Sequence, residues 1–118
     1  MVKCTDLVLI KEKILGFIDE RNWKQFHSPK NLAMALSVEA SELMEHFQWL
    51  TEEQSSALAP EKLQQVREEI GDVLIYLTRL ADKLGIDPAE AAFEKLEVNR
   101  DKYPADKVRG SAKKYSEL

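Results

Sequence analysis

Residues 61–84 read EKLQQVREEIGDVLIYLTRLADKL, and residues 32–50 read LAMALSVEASELMEHFQWL. In the first stretch Val66, Ile70, Val73, Leu74, Leu77, Leu80 and Leu84 recur at helical spacing; in the second Leu32, Leu36, Ala40, Leu43, Phe47 and Leu50 do the same. Each set is expected to form the buried stripe of an amphipathic helix. Each stretch also holds two acids three residues apart, Glu39 with Glu42 and Glu69 with Asp72. Residues i and i+3 share a helix face. At about 100° per residue, Glu39 and Glu42 fall about 60° and 120° to one side of Leu36, and Glu69 and Asp72 about 40° and 100° to one side of Val73. Both pairs therefore border a core stripe. Glu45 and Glu68 turn away towards solvent, and Tyr76 falls between Glu69 and Asp72, one turn on.

Outward from these two helices the same signals recur. Leu7, Ile10, Ile14, Phe17 and Ile18 give a first helix one apolar face, with Thr5 or Asp6 as its cap. Arg21 to His27 breaks the periodicity as a polar–aromatic loop. Ser28 then reads as a cap and Pro29 as the first helical residue. Thr51 to Ala59 is a polar linker, and Pro60 opens the third helix. Gly85 suits a helix stop. Asp87-Pro88-Ala89-Glu90 starts a fourth helix, which carries Ala91, Ala92, Phe93, Leu96 and Val98 as far as about Lys102 before Tyr103-Pro104 ends it. The expectation is one all-α domain spanning residues 1–118, a four-helix bundle.

Composition agrees with a folded chain: 44% of residues are hydrophobic, 32% are charged, and only 4 Gly and 4 Pro occur, the prolines at the ends of periodic stretches. A chain of 118 residues has modest room for a core, so burial by self-association is expected. The single cysteine, Cys4, permits no internal disulfide and fits a reducing compartment. The N-terminus does not read as a signal peptide, and no apolar run is long enough to span a bilayer, so the expected setting is cytoplasmic. The net charge is −4. Residues 39–72 hold nine acids against two bases, whereas residues 95–118 hold seven bases against four acids. An acidic whole argues against a duplex nucleic-acid partner. An acidic patch beside a basic tail suits a cation and a small polyanion.

Four neighbouring carboxylates repel one another unless a cation sits among them. Without His or Cys in the set, such oxygens select magnesium, manganese or calcium. Magnesium commonly bridges to phosphates, and a divalent ion acidifies water and stabilises a leaving phosphate. The pattern thus points to phosphoanhydride hydrolysis.

The two acid pairs resemble the signature of the all-α nucleoside triphosphate pyrophosphohydrolases, the MazG-like superfamily. The surrounding text, WKQFHSPKNLAMALSVEASELMEHFQWL at 23–50, EEIGDVLIYLTRLA at 68–81, KLEVNRDKYP at 95–104 and RGSAKKY at 109–115, is similar to its dCTP pyrophosphatase branch. The resemblance implies cleavage between the α and β phosphates of a nucleoside triphosphate, dCTP above all, to the monophosphate and pyrophosphate. It implies Mg2+ as cofactor, with Mn2+ as a substitute, held by Glu39, Glu42, Glu69 and Asp72. Trp23, Lys24, Gln25, Phe26 and His27, with Trp49 and Tyr76, match positions that contact the nucleotide. That agrees with the readiness of aromatic faces to stack on bases. Lys95, Asn99, Arg100, Arg109 and Lys113 are further candidates for phosphate or ribose contact. His46 lies on the acid side of its helix, as a support at most. A homodimer or homotetramer is also implied.

Two other readings compete. A di-iron carboxylate bundle needs Glu-x-x-His on two helices, and the nearest approach here is Glu42-x-x-x-His46. A non-enzymatic helical oligomerisation or interaction module would make the acids expendable.

Overall fold

The computed structural model describes residues 6–112, and every regular element among them is helical: α1 (Leu7–Glu20), α2 (Pro29–Glu45), α3 (Glu52–Ser55), α4 (Pro60–Lys83), α5 (Pro88–Lys102) and α6 (Ala105–Val108). The fold is all-α, as the periodicity predicts. The helix starts follow local chemistry. Asp6 caps α1 by accepting from the Val8 amide at 2.8 Å. Ser28 caps α2 by accepting from the Asn31 amide at 3.1 Å, with Pro29 at the first helical position, where its missing N–H costs nothing. Asp87 Oδ1 accepts from both Ala89 and Glu90 at the start of α5. Thr5, the other candidate cap of α1, lies outside the described residues, as does Lys113. Gly85 ends the α4 segment at φ 68°, a conformation glycine adopts without Cβ strain.

Three expectations are corrected. α2 stops at Glu45 instead of running on to Leu50: His46 and Phe47 bond back to Leu43 and Met44 in i→i−3 fashion, tightening the last turn and ending the helix. The linker after Leu50 contains the single-turn helix α3, closed by a capping box in which Thr51 and Gln54 bond reciprocally at 3.0 and 3.1 Å. The loop 21–27 contains a 3₁₀ turn, Lys24–Phe26.

The described residues fall into two compact units, one ending at Gly85 and one beginning at Ile86. In the first, α4 packs along α2 and, less extensively, along α1. Its core is small: Ile14, Ile18, Leu32, Val66 and Ala81, with Thr78 and Arg79 also buried. The stripes read from the sequence are wider than the surface that α1 and α2 cover. Ala40, Ile70, Leu77 and Leu84, expected inside, are exposed. In the second unit α5 holds no buried residue, and its last turn carries Arg100 and Lys102, placed favourably for the helix dipole.

Candidate metal centre and adjoining pocket

The α2–α4 contact brings the two acid pairs together. Carboxylate oxygens of Glu39, Glu69 and Asp72 all lie within 4.8 Å of one another, and each residue is half-buried. Glu42 falls outside this tight set, but its carboxyl is near enough to Glu39 and Glu69 to hydrogen-bond with either when one of them is protonated. Burial, then the hydrogen bond and charge of Glu42, then the charges of Asp72 and Glu69, push the Glu39 carboxyl up to about 7. Glu69 is displaced upward too, by burial first and then by the charges of Glu42 and Asp72. Glu45 and Glu68 are exposed, and Glu68 accepts from Gln64 on its own helix.

Two atoms test whether these residues fit a cation. Glu39 Oε2 and Glu69 Oε2 are buried with no donor beside them. A buried carboxylate oxygen without a donor is costly. A divalent ion at this point would supply the missing partner to both at once, and an all-oxygen set suits a hard one. The residues therefore fit.

One support of the cluster comes from beyond the acids. His46 Nε2 lies 4.0 Å from Glu69 Oε1, and Lys62 Nζ lies 3.1 Å from His46 Nδ1. An ammonium only donates, so Nδ1 is the acceptor and the ring proton sits on Nε2, facing Glu69.

Along α4, one turn past Asp72, a cleft of about 450 Å³ opens between α1 and α4. Ile10, Ile14, Phe17 and Ile18 of α1 form one wall, and Ile75, Tyr76 and Arg79 of α4 the other. Trp23 and His27 come from the intervening loop, and Lys13 stands at the edge. Trp23 meets Phe17 edge to face, ring centroids 5.7 Å apart, which fixes this wall. Arg79 Nε donates to His27 Nδ1 at 3.3 Å and Nη1 to Asp82 Oδ2 at 3.1 Å. Burial, then the charges of Arg79 and Lys83, hold His27 below the usual histidine range.

Of the nucleotide candidates, Trp23, His27 and Tyr76 line this cleft. Lys24, Gln25, Phe26 and Trp49 do not. Lys24 pairs with Asp19 at 3.2 Å, Gln25 donates to the Asn22 carbonyl, Phe26 is exposed, and Trp49 is 86% exposed beyond the end of α2. Lys95, Asn99, Arg100 and Arg109 belong to the second unit. Lys95 and Arg109 are exposed there, Asn99 is half-buried and its carbonyl accepts from the Tyr103 amide, and Arg100 pairs with Glu97. Arg79 was not among the candidates, although a signal existed. On the α4 wheel it falls about 20° past Asp72, in the same sector as Glu69, Tyr76 and Asp72.

A family model described as the MazG-like family matches residues 34–118, which include all four acids. The chain belongs to the MazG-like family. It is 45% identical over 104 residues to dCTP pyrophosphatase 1 of Mus musculus and 43% identical over 104 residues to that of Homo sapiens, covering 86% of this chain in each case. The chain spans 61% of the length of these curated relatives. Among solved structures, a pyrophosphatase from Archaeoglobus fulgidus superposes with a TM-score of 0.80 at 38% identity, covering 88% of this chain and 97% of that one. The helical architecture of this chain thus matches nearly the whole of that solved structure.

Proposed function

We propose that this protein is a nucleoside triphosphate pyrophosphohydrolase that cleaves the α–β phosphoanhydride of dCTP, giving dCMP and pyrophosphate. The observation that carries the reading is the convergence of Glu39, Glu69 and Asp72 from two helices within 4.8 Å. The dCTP pyrophosphatases among its relatives and the pyrophosphatase among solved structures support it. Glu39, Glu69 and Asp72 hold Mg2+, or Mn2+ in its place, with Glu42 completing the site. Bound there, the ion supplies positive charge against the phosphate oxygens and lowers the pKa of water. Glu42, beside the tight set, accepts the proton from the attacking water. Tyr76, one turn from Asp72, and Trp23 hold the nucleoside in the cleft, so that the triphosphate runs along α4 towards the acids.

The protein acts as a homodimer or homotetramer. Leu63, Ile70, Leu77 and Leu84, seven residues apart, form an exposed seam along α4, and Met34 and Val38 form a second patch on α2. A seven-residue apolar repeat is the pattern by which helices pair. We place the protein in the cytoplasm, with no duplex nucleic-acid partner, in keeping with its net charge of −4. No described helix is long and apolar enough to cross a membrane.

The test is incubation with dCTP and Mg2+, with product analysis by 31P NMR. Equal release of dCMP and pyrophosphate is expected. Stepwise release of phosphate, or no turnover of any nucleotide, would overturn the reading and leave the helical interaction module.

A further inference from the structure

The cleft beside the acids has an unusual polar lining. Arg79 is only 4% exposed, so its charge is almost wholly removed from water. Buried guanidinium groups are held by partners, and two of its nitrogens have them: Nε bonds His27 and Nη1 bonds Asp82. Asp82 is in turn within 3.9 Å of Lys11. These contacts fix the plane of the guanidinium and leave Nη2 with no acceptor among the described residues. His27 is set by the same contact. Its Nδ1 accepts from a group that can only donate, so the ring proton sits on Nε2. Lys13 and the Trp23 indole, also in the lining, are donors only. Apart from the Tyr76 hydroxyl, no side chain of the cleft has an acceptor to offer.

A pocket with apolar walls and a donor-only head favours a flat ring with two adjacent acceptors on its edge. Cytosine has that edge, in O2 and N3. Uracil and thymine do not, because N3 carries a hydrogen there and would bring donor against donor. We propose that Arg79, fixed by Asp82 and His27, is the residue that selects the base, its Nη2 and the His27 Nε2–H donating together to the O2/N3 edge of cytosine and excluding uracil and thymine. The inference deepens the nucleotide reading above and rests on it. Arg79 acts on substrate choice and takes no part in phosphate chemistry.

The experiment separates the two. Binding of 2′-deoxycytidine, 2′-deoxyuridine and the 2′-deoxyriboside of pyrimidin-2-one to the full chain is measured without metal, by quenching of Trp23 fluorescence checked by calorimetry. The third probe keeps O2 and N3 but lacks the 4-amino group. Deoxycytidine and the pyrimidin-2-one probe are expected to bind about 10- to 100-fold more tightly than deoxyuridine, the usual range for a buried donor left paired or unpaired. In Arg79→Met, and in Arg79→Gln, which spares more of the packing, that ratio falls to about 1–3 while deoxyuridine binding is unchanged. Equal binding of the three nucleosides by the wild type would overturn the proposal without any variant needing to fold. Preference for deoxycytidine over the pyrimidin-2-one probe would overturn it as well, since the 4-amino group would then be the feature read. Retention of the preference in either Arg79 variant would also defeat it. If the preference holds but dCTP is not hydrolysed, the hydrolase reading fails while the base-selecting role of Arg79 stands.

Discussion

The ammonium of Lys62 lies 3.1 Å from Nδ1 of His46, sixteen residues earlier in the chain. The pair ties the end of α2 to α4 and aims the His46 Nε2–H at Glu69, 4.0 Å away. Removing such a donor from behind a metal-binding carboxylate typically costs about 10–100-fold in affinity. At this longer distance the lower end applies. His46→Leu should weaken Mn2+ binding about tenfold, read by titration calorimetry, whereas His46→Gln should recover part of the loss. Unchanged affinity in His46→Leu would show that the contact is incidental.

Glu68 and Glu69 are adjacent in sequence but face different surroundings. Glu69→Gln should lower kcat/KM for dCTP by at least about 100-fold and weaken Mn2+ binding, because it removes a charged oxygen from the centre. Glu68→Gln should leave both within about twofold, as for other exposed surface substitutions. Equal losses would place the wrong acid in the cluster.

The acids also predict how stability depends on pH. Glu39, pushed up to about 7 from an ordinary value of 4.5, binds a proton more tightly in the folded state than in the unfolded one. Its contribution is complete below 4.5 and is lost as pH rises to about 7. Glu69 moves the same way. His27 moves oppositely: its folded pKa lies below 6.5, so its contribution is present above 6.5 and falls away as pH drops below that value. Metal-free wild type melted beside Glu39→Gln cancels the His27 part. The wild type should lose ground relative to the variant between pH 4.5 and 8. A constant difference across that range would contradict the raised value.

Metal addition should reverse that loss. A divalent ion binds the carboxylates only after they release their protons. Mg2+ should therefore raise the melting temperature more at pH 8 than at pH 5.5, and EDTA should abolish the gain. A gain independent of pH would mean that the ion binds elsewhere.

The seam on α4 predicts the assembly. Leu63→Lys with Leu77→Lys places two charges on an exposed apolar line. Burying each leucine in a partner contributes about 1.5–3 kcal/mol, so the dissociation constant of the oligomer should rise at least 100-fold, by about that order. Sedimentation velocity reads the outcome, and an unaltered oligomer would place the interface elsewhere.

The helices were legible because their signals are local. Asp6, Ser28-Pro29 and Asp87-Pro88 act within a few residues of themselves, and a 3.6-residue apolar repeat needs no knowledge of the partner. The wheel placed each acid pair at the margin of its stripe and set Glu69 apart from Glu68 for the same reason. Which margins meet is not local. Only the packing of α2 along α4 decided that Glu39 stands against Glu69 and Asp72 and that Glu42 stands just outside them. Burial depends on what covers a face, so Ile70, Leu77 and Leu84 read as core from the repeat yet lie exposed, while Arg79 is enclosed. A charge inside the protein is sustained by partners far along the chain, here His27, 52 residues earlier. A repeat in the sequence shows which face is apolar, and only the fold shows what that face touches.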